Sequence, residues 1–144
     1  MLGSKSILAA VDFSEHSDAA VEDAFAFALK FDAKVHLLHA FTLQDKREQV
    51  AMSEAELHDV RAVERQRLDA LVAKYRSSGC LGEVIWSEGD PGSTILRSAE
   101  QHRADLIALG ASGRSGLMRL ALGSVAEHVV RHAPCSVWVV RRPF

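Results

Sequence analysis

A chain of 144 residues is long enough to bury one proper core and is read as one domain, residues 1–144. Hydrophobic residues at 48% and charged residues at 25% are ordinary for a globular protein. The balance of 17 basic and 19 acidic residues, a formal charge of −2, argues against a nucleic-acid or anionic-membrane surface. Two cysteines, Cys80 and Cys135, without any CxxC pair argue against a disulfide framework and offer no zinc-finger spacing. No stretch reaches membrane-spanning length, and the short apolar run Ile7–Val11 closed by Asp12 makes no signal peptide, so a cytoplasmic location is expected.

In chain order, Ile7–Val11 reads as a strand buried on both faces. Ser14 caps a helix whose apolar face carries Ala20, Val21, Ala24, Phe25, Ala28 and Leu29, ending near Phe31. Residues 34–40 are the second strand and 41–50 a polar surface loop. Ser53 and Glu56 form a capping box for a long helix to about Arg76, with Leu57, Val60, Leu68, Leu71 and Tyr75 as its buried stripe and Glu64 interrupting it. A short strand over 83–88 follows, then Asp90 as N-cap and Pro91 at the first position of a helix ending near His102. Strand four is 105–109, the last helix runs from Ser124 to about His132, Pro134 stops it, and 135–141 is the fifth strand. Cys135 is expected to pack as a small hydrophobe. Alternating strands and helices imply a doubly wound parallel sheet, whose ligands sit beyond the carboxyl ends of the strands at a switch point.

The stretch with chemistry in it is 106–125, LIALGASGRSGLMRLALGSV. An apolar strand breaks at Gly110, Gly113 follows after two residues, and Gly123-Ser124 come nine residues later at a helix start. Glycines permit positive φ and close backbone approach, and a helix start supplies unpaired N–H donors, which together make an anion cradle. Neither a Walker loop nor the dinucleotide fingerprint fits these residues. From the residues alone the cradle and a plain loop, with Ser124 as N-cap and Glu127 completing a capping box, are both open.

The spacing Gly110-x-x-Gly113, nine residues, Gly123-Ser124 resembles the nucleotide-binding signature of the universal stress protein family. The similarity extends from Ile7-Leu8-Ala9-Ala10-Val11-Asp12 to Val137-Trp138-Val139-Val140. It implies an α/β fold of the adenine nucleotide alpha hydrolase-like type, a single open five-stranded parallel sheet in the order 3-2-1-4-5 with helices on both faces. It also implies ATP as ligand, with Mg2+ as a candidate companion of the phosphates. The implied site comprises Ala10, Val11 and Asp12 after strand one, Ala40 beside the adenine, Leu109 and Gly110, then Ser112, Gly113, Arg114, Gly123, Ser124 and Val125 around the phosphates. Ser112 stands where many members carry histidine or arginine, a departure bearing on phosphate affinity. Arg114 and Arg119 are loop cations that either meet a phosphate or stay solvated.

No G-x-S-x-G elbow, HExxH or reactive cysteine pair is present, so a binding and regulatory role is expected in preference to rapid turnover. A slow ATPase or nucleotide-transferring enzyme on the same fold, or a partner-binding regulator with a vestigial site, are the alternatives. His128 and His132, four apart, lack a third ligand nearby in sequence, and His36 and His39 fall on opposite faces of strand two. Val137-Trp138-Val139-Val140 is apolar at every position, and the strand order that the resemblance implies sets it at the sheet edge, where a second copy could pair with it as a homodimer.

Overall fold

The computed structural model describes residues 5–43, 51–112 and 122–142. Most of the loop expected over 41–50, together with Gly113, Arg114 and Arg119, lies outside them. Among the described residues the order is β1 (Lys5–Val11), α1 (Glu15–Phe31), β2 (Ala33–Phe41), α2 (Glu54–Tyr75), a single 3-10 turn (Arg76–Ser78), β3 (Leu81–Glu88), α3 (Pro91–Gln101), β4 (Leu106–Gly110), α4 (Ser124–His132) and β5 (Ser136–Val140). All strand pairs are parallel and the sheet order is β3-β2-β1-β4-β5.

The caps read from sequence place three of the four helix starts. Ser14 accepts from the Ser17 N–H, Ser53 and Glu56 form the reciprocal box, and Asp90 accepts from Ser93 with Pro91 at the first position. Strand periodicity then divides the core in two. Ile7, Val35 and Leu37 meet Val21 and Phe25 of α1 and Leu68 and Val72 of α2 on one face. Leu8, Leu38, Ile107 and Leu109 meet Ile95 and Ala99 of α3 and Ala126 and Val129 of α4 on the other. Continuous apolar runs are what a sheet covered on both faces requires.

Within α2 the expected stripe needs correction. Leu57, Val60, Leu71 and Tyr75 are only half-buried, and the fully buried line is Glu64, Leu68 and Val72. These residues are four apart and share one helix face, so Glu64 belongs to the buried line and does not interrupt it. Cys135 does pack against the second core, where burial and the charge of Asp105 push its thiol pKa up.

Two further contacts tie the layers together. Gly110, the last residue of β4, lies against the first turn of α1: a Cβ there would come 2.8 Å from both His16 Cβ and the Ser17 nitrogen. At the opposite end of the sheet, His102 Nε2 sits 2.6 Å from Glu83 Oε2 and its Nδ1 2.9 Å from the Ser98 carbonyl. His36, 5.1 Å away ring to ring, accepts the Glu83 N–H on Nδ1. Burial of the His102 ring opposes its charge, but the bonds to Ser98 and Glu83 and the Glu83 charge outweigh it and hold its pKa above 6.5. Burial, then the His102 charge, move His36 the other way against the pull of Glu83.

Gly110→Ala should cost about 1–3 kcal/mol in denaturant unfolding, the usual penalty for overpacking, because backbone and not a flexible side chain blocks the new methyl. Glu83→Gln should show a pH signature. A His102 pKa raised in the folded state adds stability that is complete below about pH 6.5 and disappears as pH rises through the folded value. The stability gap between wild type and Glu83→Gln should therefore be wider near pH 6 than near pH 8.5. For so exposed a carboxylate the change should be a few tenths to about 1 kcal/mol. A gap independent of pH would mean that the pair carries no net charge interaction.

Candidate functional site

β1 and β4 lie side by side, with Leu8 opposite Ile107 and Ala9 opposite Ala108. Continuing that register sets Leu109 beside Ala10 and Gly110 beside Val11. The sheet runs outward from here in both directions, β2 beyond β1 and β5 beyond β4, so the rim above these residues is the switch point of the fold. Ala40 stands one residue before the end of β2, on the same face as Leu38. Ala10, Ala40 and Leu109 thus share the face covered by α3 and α4, and the first two are small.

The two halves of the glycine motif are joined by backbone. Ala111 donates to the Val140 carbonyl at 2.8 Å, and Gly123 donates to the Ala111 carbonyl at 2.7 Å. Gly123 therefore returns to the end of β4 although the sequence between is long. Ser112 is half-buried just beyond this closure.

At Gly123 the geometry departs from expectation. Its φ of −65° and ψ of 161° are extended backbone open to any residue, so positive φ is not why glycine stands there. Gly123 itself is the N-cap of α4 and no side chain caps the helix. Ser124 is the first helical residue, one place later than an N-cap, so the capping box with Glu127 does not form. Glu127 instead pairs with Arg131 at 2.9 Å one turn on. Among the described residues no acceptor takes the N–H groups of Ser124, Val125 and Ala126. Ser124 is exposed and Val125 half-buried at this bare helix start.

Asp12 closes the other side of the rim. Its Oδ1 accepts both the N–H and the hydroxyl of Ser14, and its own N–H donates to Ser17 Oγ at 3.0 Å. The carboxylate is thereby fixed over the start of α1, as an Asx turn fixes it. Between them Phe13 sits at φ 64°, a left-handed conformation that bulky residues rarely adopt.

His128 is exposed on the first turns of α4 and packs on Gly92, where a Cβ would come 2.7 Å from its Cδ2. Asp90 is held below its ordinary pKa by its hydrogen bonds from Ser93 and, more weakly, by the charge of His128. His132 Nδ1 lies 2.9 Å from the His128 carbonyl. No cluster of three metal-ligating side chains forms among the described residues. His36 and His39 do face opposite sides: His36 meets His102, while His39 meets Glu64 of α2. That second pair, with Phe13, is the part of the rim that sequence reasoning missed. The available signal was an acidic residue in register with an apolar helix face and a histidine at a core position of β2.

Comparison with known proteins agrees with this fold. The model of the Universal stress protein family matches residues 3–141. Universal stress protein MJ0531 of Methanocaldococcus jannaschii is 33% identical over 142 residues, which are 96% of this chain and 83% of that protein. The solved universal stress protein UspA of Lactobacillus plantarum superposes with a TM-score of 0.73 at 34% identity, over 98% of this chain and 100% of that one. Hypothetical protein MJ0577, the subject of a structure-based functional assignment, superposes at 0.79 with 28% identity over 97% of each chain. A more distant universal stress protein of Arabidopsis thaliana, 24% identical and covering 96% of this chain and 92% of its own with a TM-score of 0.62, was solved with AMP bound and shares the fold. With the family model matched over almost its whole length, the chain belongs to the universal stress protein family.

Proposed function

We propose that this protein binds ATP at the rim of β1 and β4 and acts through that bound state as a regulatory stress-response protein. The observation that carries the proposal is the bare start of α4, pinned to the end of β4 by the Gly123–Ala111 bond. Among the described residues three helices use a side chain to cap their N-termini, and α4 leaves its donors open at the switch point. Unpaired N–H groups at the positive end of a helix dipole are a phosphate site. In this assignment the Ser124 and Val125 N–H groups and the Ser124 hydroxyl hold phosphates, joined by Gly113 and Arg114. Ala10, Ala40 and Leu109 provide a flat apolar floor for the base. Asp12 bounds the nucleoside end, and Mg2+ would neutralise phosphate charge near it. Support comes from the glycine spacing, the family membership and the adenine nucleotide held on this fold in the Arabidopsis protein.

Because Gly123 has ordinary backbone angles, Gly123→Val should fold, losing about 1 kcal/mol at the N-cap. Its branched side chain would stand where phosphate must approach the helix start, and ATP affinity measured by calorimetry should fall more than about tenfold. Equal affinities would end the proposal. Ser124→Ala should leave stability within about 0.5 kcal/mol, since Ser124 is not the cap, while ATP binding weakens by less than in Gly123→Val.

We also propose a homodimer through β5. Among the described residues this strand is a sheet edge, with hydrogen-bonding groups on its outer side that helices on the faces cannot cover. Apolar surface flanks it: Trp138 is 37% exposed and packs edge-on against Phe27, Phe31 beyond is 46% exposed, and Val130 of α4 is 48% exposed. The same strand of a second copy, antiparallel about a twofold axis, would satisfy the edge and cover both flanks. Sedimentation should give about twice the 15.7 kDa chain mass for wild type and one chain for Val139→Lys. A monomeric wild type at tens of micromolar would refute the dimer, and a dimer indifferent to the lysine would move the interface elsewhere.

A further inference from the structure

On the face of the sheet away from the proposed nucleotide, the same rim holds a buried polar pair. His39 of β2 is 4% exposed and Glu64 of α2 is 7% exposed. His39 Nδ1 lies 2.7 Å from the Val11 carbonyl oxygen, so this nitrogen carries a proton and donates it. His39 Nε2 lies 3.1 Å from Glu64 Oε2, outside the alignment of a directed hydrogen bond, so the two groups meet by proximity. The ring of His39 also packs against Phe13 at 4.7 Å between centroids.

These contacts fall on either side of one residue. Val11, whose carbonyl His39 holds, precedes Asp12; Phe13, whose ring His39 supports, follows it. A bulky residue at φ 64° costs about 1–3 kcal/mol and persists only where its surroundings enforce it. The enforcing groups include the His39 ring against Phe13, the guanidinium of Arg67 at 6.0 Å over it, and the Asx turn from Asp12 to Ser14. Trp86, 5.2 Å from His39 and covered by Arg65 at 4.3 Å, closes the cluster toward β3.

We propose that His39, held in place by Glu64, is a positioning residue for the nucleotide site. It grips both neighbours of Asp12 and so fixes where the Asp12 carboxylate and the start of α1 stand at the rim. The assignment rests on the proposed nucleotide site, and it gives α2 a mechanical link to that site through the sheet. Changes at Glu64 would reach the nucleotide without touching it.

The test compares two amides in place of the ring, in the full chain. Asparagine puts an N–H where Nδ1 stands and can keep the bond to Val11; glutamine puts its amide where Nε2 stands and loses that bond. Both remove the ring and any charge it carries, so a general loss of stability is common to them. Two quantities are read: exchange of the Ser14 amide without nucleotide, and ATP affinity by calorimetry. His39→Gln should speed Ser14 exchange and weaken ATP by about tenfold each, the scale of one lost buried hydrogen bond. His39→Asn, which keeps the bond to Val11 but loses the ring against Phe13, should fall between wild type and His39→Gln on both. Equal behaviour of the two variants would overturn the positioning role and leave His39 a packing residue. A wild type that binds no ATP would overturn the nucleotide site instead, and the Ser14 exchange would still decide whether His39 holds the turn.

Discussion

The pairing of β4 against β1 is the constraint on which the rest of this structure depends. It reverses the direction in which the sheet grows, and it brings Gly110 and Asp12 to one rim although about a hundred residues separate them. Without that adjacency the glycine motif would be a loop on a strand end and Asp12 a turn residue. The pairing in turn depends on close approach, since β4 ends directly on the first turn of α1 with no room for a methyl group at Gly110. The first glycine of the motif is therefore required by packing between layers, and in the proposed site the third, Gly123, keeps the helix start accessible. One motif serves two different physical needs.

The two faces of the rim are built in opposite ways. Toward α1 and α2 the polar groups are closed on one another: Asp12 on Ser14, His39 on Val11 and Glu64, Arg142 N–H on His16. Toward α3 and α4 the side chains are small or apolar and the donors at the helix start are open. A buried hydrogen bond such as that from His39 to the Val11 carbonyl resists rearrangement, because breaking it strands both partners away from water. Open donors favour whatever anion can reach them. Rigidity on one face and availability on the other is the arrangement expected of a site that must be preorganised to bind.

Much of this was legible in the sequence. Apolar runs and capping residues gave every described strand and long helix to within one or two residues, because Ser14, Ser53 and Asp90 each act within three residues of themselves. The first residue of α4 is Ser124, as the sequence reads, but its cap is not where the sequence reads it, for the same reason. Ser124 and Glu127 have the local form of a capping box, but the bond from Gly123 to Ala111 shifts the cap back by one residue, and that bond joins segments distant in sequence. His39 and Glu64 were invisible as a pair because local pattern describes each alone. Periodicity placed His39 on a face and marked Glu64 as an interruption, and only the packing of α2 on β2 turns two anomalies into one contact. Strand order likewise came from resemblance, not from the residues.

The shifted cap also bears on what the chain forgoes. A serine or aspartate at the N-cap of α4 would be worth about 0.5–2 kcal/mol of stability, and the sequence carries a serine one position away. Placed at the cap, its oxygen would accept from the same N–H groups that a phosphate needs, and ligand and side chain would compete for them. Glycine at the cap leaves the donors free, and serine at the first helical position adds an exposed hydroxyl beside them without closing them. The cost in stability is small against the cohesion of two covered faces. A helix start kept short of its own best cap is what a site assembled from backbone requires, and the same trade explains why the strained turn at Phe13 is tolerated. In both places local preference yields at the rim, as the proposed nucleotide site would require.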